Sequence, residues 1–176
     1  FVAHFLHDIL TRWVELPGID EAVRGRYGEA AESLREAINE HAWDGAWYWR
    51  ATTDEGEVIG ASGSAGGGAE GEIFLNAQTW AVLGGSAPEA RARQALASAG
   101  ERLYVAYGPL LFAPAFSKPD PAIGYLTRYA PGVRENGGVY VHAGCWAVMA
   151  ERRVHGVQAA YELWRSFCPA RRGEEP

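Results

Sequence analysis

The chain has 176 residues, long enough for one domain with a real core, and its 48% hydrophobic and 22% charged shares are ordinary for a soluble globular protein. A net charge of −6, with no basic stripe to offset it, lacks the electrostatic footprint of a nucleic-acid binder. No apolar run reaches membrane-spanning length and no signal-peptide pattern opens the residues present, so neither a membrane nor a nucleic acid is expected as a partner, and a cytoplasmic setting is.

In chain order the pattern is helical almost throughout. Phe1, Phe5, Ile9 and Trp13 recur at helical spacing, which predicts a first helix to Val14. Leu16-Pro17-Gly18 breaks it, and Asp20 is placed to cap a second helix from about Glu21 to His41. That helix gathers Val23, Tyr27, Ala30, Ala31, Leu34, Ala37 and Ile38 on one face and charges on the other, as an outer helix packed on one side does. The following stretch WDGAWYWRATTDEGEVIG is not helical in pattern. Asp54-Glu55-Gly56 reads as a turn between two short extended pieces.

Gly60 to Glu72 is low in complexity and reads as a flexible loop without an assigned role. Order resumes at Ile73-Phe74-Leu75, with Asn76 expected to cap a helix to about Leu83. Gly84-Gly85-Ser86 ends it, and Pro88 suits the first turn of another helix running to about Leu103. Tyr104 to Arg134 is rich in Pro and aromatics and reads as a long irregular segment, a length that signals either function or a wrong assignment of its elements. Helices return at about Val141–Val154 and Val157–Phe167, and residues 169–176 read as a loose tail. The sum is an all-α chain of about six helices in αα-hairpins, with the long loops gathered at one end and no repeat of fixed period.

Two further features bear on extent and chemistry. The sequence opens at Phe1 in mid-pattern and its single methionine is Met149, so more sequence is expected upstream. Cys145 and Cys168 fit no metal or redox spacing; one disulfide is possible, and reduced core thiols are the expected state. The five His form no ligand pattern either, so no metal or organic cofactor is implied. Seven Trp suit sugar-stacking surfaces as well as core packing.

Three motifs carry more information: WDGAWYWRA, EIFLNAQTWAVLGG and IGYLTRYAPGVRENGGVYVHAGCWAVMA. In this order and spacing they resemble the glycoside hydrolase family 94 phosphorylases, the relatives of cellobiose and chitobiose phosphorylases and of the phosphorylase-like region of cyclic β-1,2-glucan synthases. The resemblance covers most of residues 1–168 and is most specific at the RENGG…H segment. It implies the C-terminal half of an (α/α)6 toroid. It also implies an inverting reaction in which inorganic phosphate, a co-substrate, attacks the anomeric carbon of a β-glucoside and releases a sugar 1-phosphate.

By the same resemblance His142, at a helix start, contacts phosphate, and Glu135 binds sugar hydroxyls. Gln78 and Trp80 are expected in the sugar pocket, with core packing and capping as their alternatives. Tyr125 and Arg128 are expected on the wall nearer the leaving sugar. Arg134 contacts either ligand or pairs with Glu135. Gly137-Gly138 either allows close backbone approach to a ligand or belongs, with Asn136, to a turn before the helix. Asp44 reads as a structural acceptor in its turn, whereas Arg50 either braces that loop or faces the site.

The family's general acid belongs to a GDWNDG-like motif expected upstream of Phe1, so no catalytic residue is expected in this chain. A C-terminal Gly- and Thr-containing loop that completes the phosphate site is also absent, and Val141 stands where many relatives have Thr. The expectation is a phosphorylase fragment, inactive alone, that partners the remainder of its own domain, with a homodimer as a further option. The alternatives are a non-catalytic carbohydrate-binding helical domain and a degenerate remnant.

Overall fold

The computed structural model describes residues 1–62 and 70–173; most of the Gly60–Glu72 stretch and the last three residues lie outside the described residues. The predicted helices are present: α1 (Val2–Val14), α2 (Glu21–His41), α3 (Leu75–Leu83), α4 (Glu89–Leu103), α5 (Val141–Val154) and α6 (Val157–Phe167). They pack as consecutive pairs, α1 on α2, α3 on α4 and α5 on α6, and α3 also lies against α5. Asp20 caps α2 as expected, its carboxylate accepting from the N–H groups of Ala22 and Val23 at 3.0 and 3.2 Å.

α3 is the central helix, since Leu75, Ala77, Gln78, Thr79, Ala81 and Leu83 are all buried. A nine-residue helix hydrophobic on every side gains stability only by such enclosure. Leu75, Leu96 and Leu103 are the best-buried aliphatic anchors of this layer, each worth about 1.5–3 kcal/mol of transfer free energy. Arginines close the helix ends. Arg153 of α5 donates to the Leu83 carbonyl at 2.6 Å, and Arg93 of α4 donates to the Val154 carbonyl at 3.1 Å. Carbonyls that have no partner within their own helix are thereby satisfied.

Short strands tie the loops to the helical layer. β1 (Ala51–Thr52) pairs with β2 (Val58–Ile59) around the predicted turn, where Gly56 has a φ of +87°. The segment 104–134 is less irregular than its composition predicts. β4 (Tyr104–Val105) pairs with β5 (Gly108–Pro109), and β6 (Phe112–Ala113) pairs with β3 (Ile73–Phe74) directly ahead of α3. Phe74, Phe112 and Phe116 cluster at this junction, so the loop has an apolar core of its own.

Four expectations need correction. In α1 the buried residues are His4 and His7, whereas Phe1, Phe5 and Trp13 are partly exposed. The imidazoles tolerate burial because each is paired: His4 Nδ1 lies 2.7 Å from Ser86 Oγ, and His7 Nδ1 lies 2.7 Å from the Gly84 carbonyl. Asn76 does not cap α3, which begins one residue earlier after Phe74 without a side-chain cap. Both cysteines are free thiols, but neither is a core residue: Cys145 is exposed and Cys168 half-buried. The start of the tail is ordered, with Pro169–Arg172 forming one further helical turn, α7.

Candidate functional site

Where the loops meet the N-terminal end of α3 there is a cleft of about 570 Å³, counting its open mouth. Its lining is mostly apolar, with Phe1, Phe74, Leu111, Phe112 and Leu126, and its polar side chains are Arg50, Asn76 and Glu135. Arg50 lies just after the WDG turn and stacks its guanidinium over Phe74, 4.5 Å from the ring centroid. Burial lowers its pKa below that of a free guanidinium. Of the two roles open to Arg50, the one facing the cleft is the one observed. The turn itself is held by Asp44, whose carboxylate accepts from Ala46 and Trp47 at 2.8 Å each and from Ser62 at 2.6 Å. Asp44 is therefore a structural acceptor.

The RENGG loop supplies the opposite rim. Asn136 is fully buried and pins the loop from within: it accepts from Phe116 N–H at 2.8 Å and donates to the carbonyls of Phe116 and Tyr129 at 2.8 and 2.7 Å. Gly137 has a φ of +78° and packs on Ala115, and a side chain on Gly138 would meet the Arg134 carbonyl at 2.6 Å. Both glycines thus serve close packing of loop on loop. Arg134 adopts a φ of +51°, which is uncommon for a residue with a Cβ and marks local strain. Its guanidinium lies over Tyr129 at 4.8 Å and 3.6 Å from the Glu135 carboxylate.

Glu135 is held ionised below its ordinary value of 4.5 by its own backbone N–H, then by the Tyr140 hydroxyl and Arg134. The same contact with Glu135 raises the Tyr140 phenol. Glu135 Oε2 and Asn76 Oδ1 are enclosed acceptors without a hydrogen-bond partner, and both residues line the cleft.

His142 is exposed in the first turn of α5, with its ring edge-on to Tyr140 at 5.4 Å and to Trp146 at 5.2 Å. Tyr140 therefore touches both Glu135 and His142. Trp146 continues to Trp80 at 5.4 Å, and Trp80 to Phe5 at 4.7 Å. Trp80 is half-buried in this aromatic row with its indole N–H unpartnered; it reaches His142 through Trp146 and is not among the cleft-lining residues.

Gln78 lies elsewhere. It is fully buried, accepts from Tyr48 N–H at 2.9 Å, and donates to the carbonyls of Tyr48 and Phe74 at 2.8 and 3.0 Å. With every polar atom committed to backbone, Gln78 braces the WDG loop, and the expectation that it lines the sugar pocket is corrected. Tyr125 and Arg128 sit on a 3₁₀ turn, Tyr125–Arg128, whose outer side borders a second cleft also lined by Asp120 and Thr127. Tyr129 links this turn to the RENGG rim, with Tyr125 at 5.5 Å and Arg134 above it.

The structure thus brings Glu135, Arg134 and His142 together around Tyr140, places Trp80 behind His142 and Tyr125/Arg128 beyond Tyr129, and leaves Gln78 out. Sequence reasoning missed Asn76. Its signal was an amide in the first turn of α3, two residues past the N-cap Phe74, which fits a role other than capping. Among the described residues no group of three His, Cys, Asp or Glu could hold a metal ion, and no helix is long and apolar enough to cross a membrane.

The chain is 36% identical over 150 residues to solabiose phosphorylase of Paenibacillus borealis, which covers 85% of this chain and 19% of the relative. It is 38% identical over 145 residues to N,N′-diacetylchitobiose phosphorylase of Vibrio proteolyticus, covering 81% of this chain and 18% of the relative. With the cyclic β-(1,2)-glucan synthase of Rhizobium meliloti it shares 36% identity over 140 residues, 77% of this chain and 5% of that protein. The chain spans about a fifth of the length of the phosphorylases it matches. Residues 1–175 match the catalytic domain that defines the glycosyl hydrolase 94 superfamily, and the chain belongs to that family.

Proposed function

We propose that this chain forms part of the active-site wall of an inverting glycoside phosphorylase acting on β-linked glucosaccharides, within an (α/α)6 toroid of which its helix pairs are a portion. The observation that carries the reading is the juxtaposition at Tyr140 of an ionised carboxylate, Glu135, on one side and the exposed imidazole His142 on the other. A polyol needs acceptors and a phosphate needs donors, and this arrangement offers each within one loop-to-helix junction. The helix N-terminus adds its field to the phosphate side.

In this reading the cleft floor of Phe74, Leu111 and Phe112 takes a sugar face, and Glu135 accepts from its hydroxyls. Tyr125 and Arg128 form the wall toward the leaving sugar, and His142 donates to phosphate while Tyr140 and Trp146, the latter backed by Trp80, fix its ring. Phosphate then attacks the anomeric carbon from the face opposite the leaving oxygen, the place an activated water takes in an inverting hydrolase. The general acid that protonates the leaving oxygen is assigned to no residue of this chain. The relatives named phosphorylases support the reaction class.

The test uses the full-length protein carrying this chain, incubated with β-linked disaccharides with and without inorganic phosphate. Sugar 1-phosphate of inverted configuration, formed only with phosphate, is the expected product. Hydrolysis to free sugars at a rate indifferent to phosphate contradicts the reading.

A further inference from the structure

The cleft contains two polar residues that the reading above leaves unused, Asn76 and Arg50. Asn76 stands in the first turn of α3, where its Oδ1 is enclosed yet accepts no hydrogen bond. Other buried side-chain amides of this region, Gln78 and Asn136, are paired to backbone at both ends. An enclosed acceptor left open is costly unless something arrives to donate to it. Glu135 Oε2, which also lines the cleft, likewise accepts no hydrogen bond, although Arg134 Nε lies 3.6 Å from it. Two acceptors thus face one space whose floor is aromatic and aliphatic. The cation of the same lining, Arg50, is held by its stack on Phe74 and has no salt-bridge partner among the described residues.

We infer that Asn76 and Arg50 are specificity-determining sugar-binding residues, forming with Glu135 the polar end of a pyranose subsite. The ligand chemistry follows from the groups. Open acceptors require O–H donors, the guanidinium requires a neutral or anionic oxygen acceptor, and the apolar floor requires a C–H face. A pyranose ring supplies all three at once. Asn76 Oδ1 and Glu135 Oε2 each accept from a hydroxyl, and Arg50 donates to a hydroxyl or ring oxygen. The sugar assignment rests on the reading above, but it concerns binding and not turnover.

The test is therefore equilibrium binding by calorimetry, without phosphate, of cellobiose, laminaribiose and N,N′-diacetylchitobiose to the full-length protein and its variants. Loss of one hydrogen bond to the ligand in Asn76→Ala weakens binding of the preferred disaccharide about tenfold. Asn76→Asp keeps the acceptor and suits a helix first turn, so it returns affinity to within about threefold of the parent. Arg50→Met keeps the stack on Phe74 and weakens binding by a similar tenfold. Unchanged affinity in Asn76→Ala overturns the inference, because the open acceptor is then served by structural water alone. Failure of all three disaccharides to bind the parent protein at millimolar concentration overturns it too. So does a lowered thermal midpoint in Asn76→Ala that accounts for the lost affinity. If the variants behave as expected while no sugar 1-phosphate forms, the phosphorylase reading fails and the subsite stands.

Discussion

Two regions of the loop wall use the same side-chain chemistry to opposite ends. On the inner side, Gln78 and Asn136 each face a single loop residue as a strand neighbour would, taking its N–H and giving to its C=O; the partners are Tyr48 and Phe116. Each amide also donates to a further carbonyl, of Phe74 and Tyr129 respectively. On the cleft side, Asn76 and Glu135 are half-buried, and each has one enclosed oxygen that accepts no hydrogen bond. The difference teaches that burial of a polar group is not by itself a functional sign. The inner amides convert two loops of little regular structure into fixed walls, and the outer acceptors can be left open because those walls hold them in place.

The comparison can be broken most forcefully from the inner side. Asn136→Ala removes three hydrogen bonds and strands the N–H and carbonyl of Phe116 and the carbonyl of Tyr129. The expected cost is about 3 kcal/mol, a fall of roughly 6–12 °C in the thermal midpoint for a chain of this size. Calorimetric melting reads it directly, and a midpoint within 2 °C of the parent, a margin of roughly 1 kcal/mol or less, denies the loop its pin.

From the outer side, Glu135→Ala leaves the fold intact and lowers kcat/KM for the disaccharide by about 10–100-fold, the loss of a charge-assisted contact to substrate. Steady-state rates on the full-length protein check this, and a melting transition that shifts with the activity places Glu135 in the scaffold with Asn136.

A pH series sharpens the contrast at α1. Burial above all lowers the His4 pKa from 6.5 to about 3, so between those values the unfolded chain binds a proton that the folded chain refuses. Stability is therefore full above pH 6.5 and falls as the solution is acidified toward pH 3. The loss by pH 5 is about 2 kcal/mol. Urea midpoints at pH 7.5 and 5 measure it, and His4→Gln, which cannot take up the proton, flattens that dependence. The smallest effect is at the surface. Arg12 donates to Asp8 at 2.8 Å in the open, and Arg12→Gln leaves the thermal midpoint unchanged.

Much of the helical layer was legible because its signals are local. Asp20 before α2, the glycines after α3 and the apolar spacing of α5 and α6 act within a few residues of the boundaries they set. What was not legible depends on partners distant in sequence. Gln78 finds Tyr48 thirty residues away, and Asn136 finds Phe116 twenty residues away. The pairing of Ile73 with Ala113 brings together segments that no periodicity connects. The inward turn of His4 and His7 in α1 reverses the apolar pattern for the same reason, since Ser86 and the Gly84 carbonyl await them. At the site, motif chemistry marked Glu135, Arg134 and His142. It could not separate Gln78 from Asn76, because two amides two residues apart on α3 differ only in what the fold sets against them.

The central claim is that the Tyr140 junction divides phosphate from sugar, with His142 on the phosphate side. Its most direct test is the phosphate dependence of sugar 1-phosphate formation by the full-length protein, compared with its His142→Ala variant at saturating disaccharide. Loss of one donor predicts a phosphate KM raised about tenfold or more with the disaccharide KM little changed. An unchanged phosphate KM, or a rise confined to the disaccharide, contradicts the division of the site described here.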